Sequence, residues 1–137
     1  MPRSINFYND QILGDAKTDR PLASAHRIIY VRHGEVTING KTVGPDQAIY
    51  TAEEVEISGN ADWSQLFRWD IAMPNAAPIL MEGSNLLSNP KMARVNMMDD
   101  MPDGGDWLFR LDRITVPAGR TSDRHQHPGD RKSTRLN

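Results

Sequence analysis

In the central part of the chain, hydrophobic and polar residues alternate in short runs separated by turn-forming residues. Residues 27–32 are rich in β-branched and aromatic side chains, and the longest alternation, at positions 63–71, places Trp63, Phe67 and Trp69 on one face. A period of two predicts strands because successive side chains of a strand point to opposite faces. We therefore expect an all-β protein. Core packing is the expected role of the three aromatic residues, and the lining of a ligand cavity is the alternative.

Turn signals separate these predicted strands. Asn39-Gly40 lies between two β-branched triplets, and a two-residue hairpin favours this pair because a type I′ turn needs positive φ at both central positions. Gly59-Asn60 predicts another turn. Short strands at even spacing are typical of a β-barrel or a β-sandwich.

The distribution of polar, strand-forming and proline residues along the chain also suggests how the chain is divided into segments. The segments that we predict are an N-terminal arm at 1–25 with one short strand at 5–8, a first β domain at 26–72, a proline-rich linker at 73–91, the start of a second β domain at 92–129 and a tail at 130–137.

The composition of the chain excludes several classes of function. The 137 residues carry a net charge of -2, so nothing overall attracts nucleic acid, and no apolar run approaches the length of a membrane span. Cysteine is absent, which excludes disulfides, thiol nucleophiles and cysteine-ligated metals. The N-terminus lacks the apolar segment of a secretory signal, and we expect a cytoplasmic protein.

The spacing of His125 and His127 is the strongest chemical signal. Residues i and i+2 of an extended strand point to the same side, so the two imidazoles can converge on one cation. Neutral imidazole suits Fe, Mn, Ni, Cu or Zn. A solvated loop with two histidines is the alternative interpretation.

This His-x-His, six residues after Gly119 and the entry segment 114–119, resembles the first motif of the cupin family. The resemblance implies a jelly-roll barrel in which His125 and His127 join a glutamate and a third histidine around one divalent transition metal. Residues 34–50 are weakly similar to the approach to the second cupin motif.

The order of the two segments implies a two-cupin protein with a degenerate first barrel and an incomplete second one. Where the metal histidine of the first barrel should follow, the chain has Glu53, Glu54 and Glu56, which we interpret as a solvated acidic turn. His26 and His33 are seven positions apart, on opposite faces of a strand, so we expect exposed or capping roles for them.

The last residues depart from the cupin pattern. Residues 130–137 resemble translated sequencing-adapter sequence and lack the side chains for a strand with a core face. We therefore expect a chain truncated within the second cupin domain, whose carboxylate and third-histidine ligands are missing.

The resemblance implies a metal-dependent dioxygenase-type oxidoreductase that acts on a small organic substrate in the intact parent protein. The alternatives are a non-catalytic cupin that binds or senses a small molecule, and a fragment without function that holds no metal. No residue is assigned a catalytic or cofactor-binding role. We expect no nucleic-acid or membrane partner, and a homodimer is left open.

Overall fold

The computed structural model describes residues 3–91, 108–114 and 133–134. The chain divides into two compact units, Met1–Met101 and Pro102–Asn137, which are described separately. Within the described residues every regular element is a strand, so no helix there could cross a membrane. The strands of the first unit are β1 (Ser4–Leu13), β2 (Arg27–His33), β3 (Val36–Ile38), β4 (Lys41–Val43), β5 (Ala48–Thr51), β6 (Ile57–Gly59), β7 (Trp63–Ala72) and β8 (Leu86–Lys91).

A five-stranded antiparallel sheet has the order β5-β2-β7-β1-β8. Strands β1 and β7 pair along their whole length, from Ser4 opposite Ala72 to Leu13 opposite Trp63. Strand β2 pairs with the other edge of β7, with a bulge between Val31 and His33. The long, regular pairing of β1 and β7 is the centre of this sheet.

The sequence analysis predicted too little strand in two segments. The arm that should contain one strand at 5–8 forms the ten-residue strand β1, and the segment interpreted as a linker ends in strand β8. Both strands carry polar residues such as Asn6, Asp10 and Asn89, which weakens the hydrophobic signal. Their partners lie far away in sequence, so their pairing is invisible to a local pattern.

A second, three-stranded antiparallel sheet has the order β4-β3-β6. The predicted hairpin is confirmed: Asn39 and Gly40 join β3 to β4, with φ angles of 49° and 82°. The predicted turn after Gly59 is also present, because β6 ends at this residue and β7 begins at Trp63.

One hydrophobic core joins the two sheets, an arrangement consistent with a β-barrel or β-sandwich. We call the side of the five-stranded sheet that faces this core its inner face. The buried cluster consists of Ile12, Leu22, Ile29, Val31, Val36, Ile38, Val43, Val55, Ile57, Leu66 and Met81.

The aromatic residues of β7 share one face, as predicted, and their predicted core role holds only in part: Trp69 is buried, Phe67 is half-buried and Trp63 is exposed, and all three lie outside the central hydrophobic cluster. Along this strand Ser64, Leu66 and the following even-numbered positions are buried on the inner face. Trp63, Phe67 and Trp69 therefore lie on the opposite side, which we call the outer face. A period of two predicts that the strand has two different faces. Because both faces of β7 carry large side chains, the sequence does not indicate which face is buried.

Gly59 permits a close approach between the two sheets. A Cβ at this position would clash with the backbone oxygen of Gly14 and lie 2.8 Å from a methyl carbon of Ile12. The end of β6 therefore reaches the inner face of β1 only because residue 59 has no side chain.

In the second unit, β9 (Leu108–Phe109) pairs in parallel with β10 (Ser133–Thr134). Strand β9 ends at Phe109, and residues 110–114 are not in a strand. A short piece of the tail is thus paired through its backbone.

Candidate functional site

His125 and His127, the predicted metal ligands, lie outside the described residues, so their convergence stays a prediction. Within the described ranges, no group of three or more His, Asp or Glu side chains is placed to hold a metal ion. The other candidates for chemistry in residues 3–91 are the remaining histidines, the acidic residues and the buried polar groups of the core.

His26 and His33 are both exposed, as expected, and lie near opposite ends of β2. The prediction that they lie on opposite faces is wrong, because the bulge after Val31 shifts the register and pairs His33 with Gln65 on the outer face, where Tyr50, the partner of His26, also lies. The Nδ1 atom of His26 is 2.6 Å from the hydroxyl oxygen of Tyr50. The ring of His33 packs against the indole of Trp63, with 4.6 Å between the centroids. The two imidazoles thus contact different aromatic side chains.

The acidic segment after β5 forms a solvated turn, as predicted. Glu53, Glu54 and Glu56 are exposed, whereas Val55 between them is fully buried in the core. These three carboxylates therefore face solvent and do not line the interior.

The most unusual feature of the interior is a group of four buried charges. Arg68 lies between two carboxylates: its Nε donates to Asp10 Oδ2 at 2.7 Å, and its Nη1 donates to Asp70 Oδ2 at 2.8 Å. The side chains of Arg68 and Asp10 are fully buried, and that of Asp70 is nearly so. The guanidinium also lies 3.8 Å from the ring centroid of Tyr8.

Arg27 completes this group. Its Nε donates to Asp70 Oδ1 at 3.0 Å and its Nη2 to Asp70 Oδ2 at 3.2 Å, a bidentate pair. Nη2 also donates to the carbonyl of Ala23 at 2.8 Å. Its Nη1 is buried without a hydrogen-bond partner among the described residues. Asp70 therefore accepts hydrogen bonds from both arginines.

Electrostatics inside this group keep the arginine charged. Burial alone would lower the pKa of Arg68, but the attraction of Asp10 and its hydrogen bond, followed by the attraction of Asp70, outweigh desolvation and raise that pKa. Because the charges of two arginines and two aspartates cancel, the group can remain buried. Both carboxylates are occupied by guanidinium donors and are not placed to act as a general base.

The outer face of the same sheet carries a cluster of aromatic rings. The ring of Phe7 lies 5.2 Å from that of Trp69 and 5.5 Å from that of Phe67. Tyr30 stacks on Phe67 with 6.3 Å between centroids. These separations are typical of favourable aromatic pairs.

Amide side chains lie beside the rings. Gln11 Oε1 accepts a hydrogen bond from Trp63 Nε1 at 3.2 Å, and Gln65 Nε2 donates to Asn9 Oδ1 at 3.1 Å. The register places Gln11 opposite Gln65, and Asn9 opposite Phe67. A row of amides therefore separates Trp63 from the aromatic cluster.

The sequence predicted that Trp63, Phe67 and Trp69 share one face, but it did not predict the buried ion-pair group or the row of amides. Nothing local links Arg68 to Asp10, because the two are 58 positions apart. The local sequence did contain one sign of the buried ion-pair group: Arg68 and Asp70 are two positions apart in β7, on the face opposite to its aromatic residues. Charged residues at alternate positions usually indicate a solvated face, and here they indicate a buried ion-pair group.

Comparison with known proteins adds no relative. No family model matches the chain, and neither a curated protein nor a solved structure matches it.

Proposed function

We propose that this chain is part of a cupin-type protein and that it binds a divalent transition metal through His125 and His127. The observation that carries the proposal is the His-x-His spacing six residues after Gly119, which itself follows the β-branched residues 114–116. The all-β architecture of residues 3–91 supports a jelly-roll barrel without distinguishing it from other β-barrels or sandwiches.

The interior of the first unit supports assigning the metal to the second. Its buried carboxylates, Asp10 and Asp70, are held by Arg68 and Arg27 at hydrogen-bond distance. A metal ion there would have to displace guanidinium groups from both carboxylates. We infer that the first unit is a scaffold and that metal chemistry belongs to the segment containing His125 and His127.

The activity that we propose for the longer parent protein is a dioxygenase-type oxidation of a small organic substrate. The metal, when bound, would supply redox and Lewis-acid chemistry, and the two imidazoles would hold and orient it. Oxygen uptake by the metal-loaded parent with a panel of small organic substrates tests this proposal. Tight substrate binding without oxygen consumption would favour the non-catalytic alternative.

That second candidate, a cupin that binds or senses a small molecule, has one observation in its favour. The two interior carboxylates of the first unit are neutralised by arginines, which leaves them without an acid–base role. A first barrel built in this way suits structure or recognition better than catalysis.

The metal proposal is tested by calorimetric titration of the full chain with NiCl₂ or ZnCl₂. We expect weak binding by the wild type and none by the double variant His125→Ala/His127→Ala, because two imidazoles alone leave most of the coordination sphere to water. The matched control, His26→Ala/His33→Ala, should bind like the wild type. Binding should also weaken as pH falls through about 6.5, where free histidine protonates.

Equal binding by the wild type and the His125→Ala/His127→Ala variant would remove these histidines from the site. Loss of binding in the His26→Ala/His33→Ala control alone would move the site to the first unit. Either result contradicts the proposal.

A further inference from the structure

We propose that the outer face of the five-stranded sheet binds a neutral oligosaccharide at the corner formed by Trp63, Gln11, Gln65 and Asn9. The proposal is independent of the metal site, because it uses only strands of the first unit. It rests on the aromatic and amide side chains of this corner and on the absence of charged side chains from the outer face of β1 and β7.

The framework of this corner is regular. Strands β1 and β7 pair without interruption over ten positions, which places Leu13 beside Trp63 and Gln11 beside Gln65. The side chains are further held by the hydrogen bond from Trp63 to Gln11 and by the contact of His33 with the indole. A surface ordered before binding loses little conformational entropy when a ligand arrives.

The apolar half of the recognition comes from Trp63. Its indole is 36% exposed although it is one of the largest side chains of the unit. Leu13, at 53% exposed, is its direct neighbour, and Leu87, at 57%, lies opposite Gln11 on β8. An exposed ring flanked by aliphatic groups suits the apolar C–H face of a pyranose, through weak C–H contacts with the π-system.

The polar half comes from the amides. Within the described part of the chain, Gln11 Nε2, Asn9 Nδ2 and Gln65 Oε1 have no hydrogen-bond partner, while the other polar atom of each amide is engaged. These atoms present donors and an acceptor side by side. Sugar hydroxyls both donate and accept, so they complement such a row.

The charge of the face selects the class of ligand. On β1 and β7 no outer-face position carries a charged side chain; these positions are Ile5, Phe7, Asn9, Gln11 and Leu13 of β1 and Trp63, Gln65, Phe67, Trp69 and Ile71 of β7. The outer face of the neighbouring strand β8 carries one cation, Lys91, which lies opposite Phe7 and four positions along β8 from Leu87. Phosphate-bearing ligands and nucleic acids require cationic side chains, which β1 and β7 do not offer at the corner around Trp63. A neutral polyhydroxylated ligand matches the absence of charge.

A second copy of this chain fits the same corner less well. Packing this face against itself would bury the amides of Asn9, Gln11 and Gln65 against aromatic rings and other amides. A buried polar group without a hydrogen-bond partner is costly. A ligand that brings its own hydroxyls avoids that cost, and therefore we favour the oligosaccharide.

The test is isothermal titration of the full chain with cellohexaose, maltohexaose and chitohexaose, and with poly(U) as a charged probe. We expect saturable binding of at least one hexasaccharide and no binding of poly(U). Trp63→Ala should weaken binding by about tenfold or more, and Gln11→Ala by about three- to tenfold, the range expected for one aromatic contact and one hydrogen bond. Thr42→Ala, an exposed change on β4 of the other sheet, should leave the affinity unchanged.

Absence of binding to all three hexasaccharides would overturn the proposal, as would equal affinities of wild type, Trp63→Ala and Gln11→Ala. Binding of poly(U), or a dimer that Trp63→Ala dissociates without any saccharide binding, would assign the face to another partner. Circular dichroism confirms the fold of each variant. If Trp63→Ala does not fold, Gln11→Ala and Gln65→Ala decide the outcome by the same criterion.

Discussion

The inner and outer faces of one sheet differ in the side chains that they carry. On the inner face, two arginines and two aspartates are buried with the aliphatic core, and their charges cancel. On the outer face of the same strands, aromatic rings and neutral amides lie together, and Trp63 is partly exposed. Whether a side chain of this sheet is buried depends more on the partners available to it than on its polarity.

The difference has a physical cause. A buried charge is tolerated when an opposite charge and hydrogen bonds replace the lost water, and Arg68 obtains both from Asp10 and Asp70. Aromatic rings on the outer face reduce their exposure by contacting one another, as Phe7 does with Phe67 and Trp69. Ion pairs and hydrogen bonds thus stabilise the buried charges of the inner face, and contacts between rings reduce the exposed apolar area of the outer face.

The largest effect should come from removing the carboxylate shared by both buried arginines. Asp70→Ala leaves Arg27 with only a backbone acceptor, and Arg68 with Asp10 and the carbonyl of Ile79, so we expect a loss of about 3–5 kcal/mol in the free energy of unfolding. Urea denaturation followed by circular dichroism measures it. The control Asp62→Ala, at an exposed position, should change the free energy by less than about 0.5 kcal/mol.

A loss for Asp70→Ala no larger than that for the Asp62→Ala control would mean that the inner face does not depend on its ion pairs. The contrast between the two faces would then be one of composition only.

A smaller loss should follow from adding one methyl group where the second sheet meets the inner face. Gly59→Ala would force a Cβ against the backbone of Gly14, and we expect a cost of about 1–3 kcal/mol. Gly44→Ala is the matched control, because a Cβ there makes only an ordinary contact, 3.6 Å from Gln47 Oε1. Similar melting temperatures for the two variants would show that the approach at Gly59 is loose.

The local part of this fold was predictable from sequence. The hairpin at Asn39-Gly40 depends on the backbone preferences of two adjacent residues, which the sequence displays directly. The alternation in β7 likewise predicted a strand with Trp63, Phe67 and Trp69 on one face.

The choice of face was not predictable, because it depends on partners distant in sequence. Arg68 is buried only because β1 brings Asp10 beside it, and the polar sequence of β1 suggested an irregular arm. The candidate surface at Trp63 and Gln11 also depends on the pairing of β1 with β7, since those two residues are 52 positions apart in the sequence. Local patterns describe strands, and only their pairing creates these groups.

Two neighbouring residues of β7 provide the most direct test of which face is the core. If the aromatic face were the core, Phe67→Ala would cost more than Leu66→Ala, because it removes the larger side chain. Our account predicts the reverse order in urea denaturation: about 3 kcal/mol for the fully buried Leu66, and about 1 kcal/mol less for the half-buried Phe67. A greater loss for Phe67→Ala than for Leu66→Ala would contradict the assignment of the two faces.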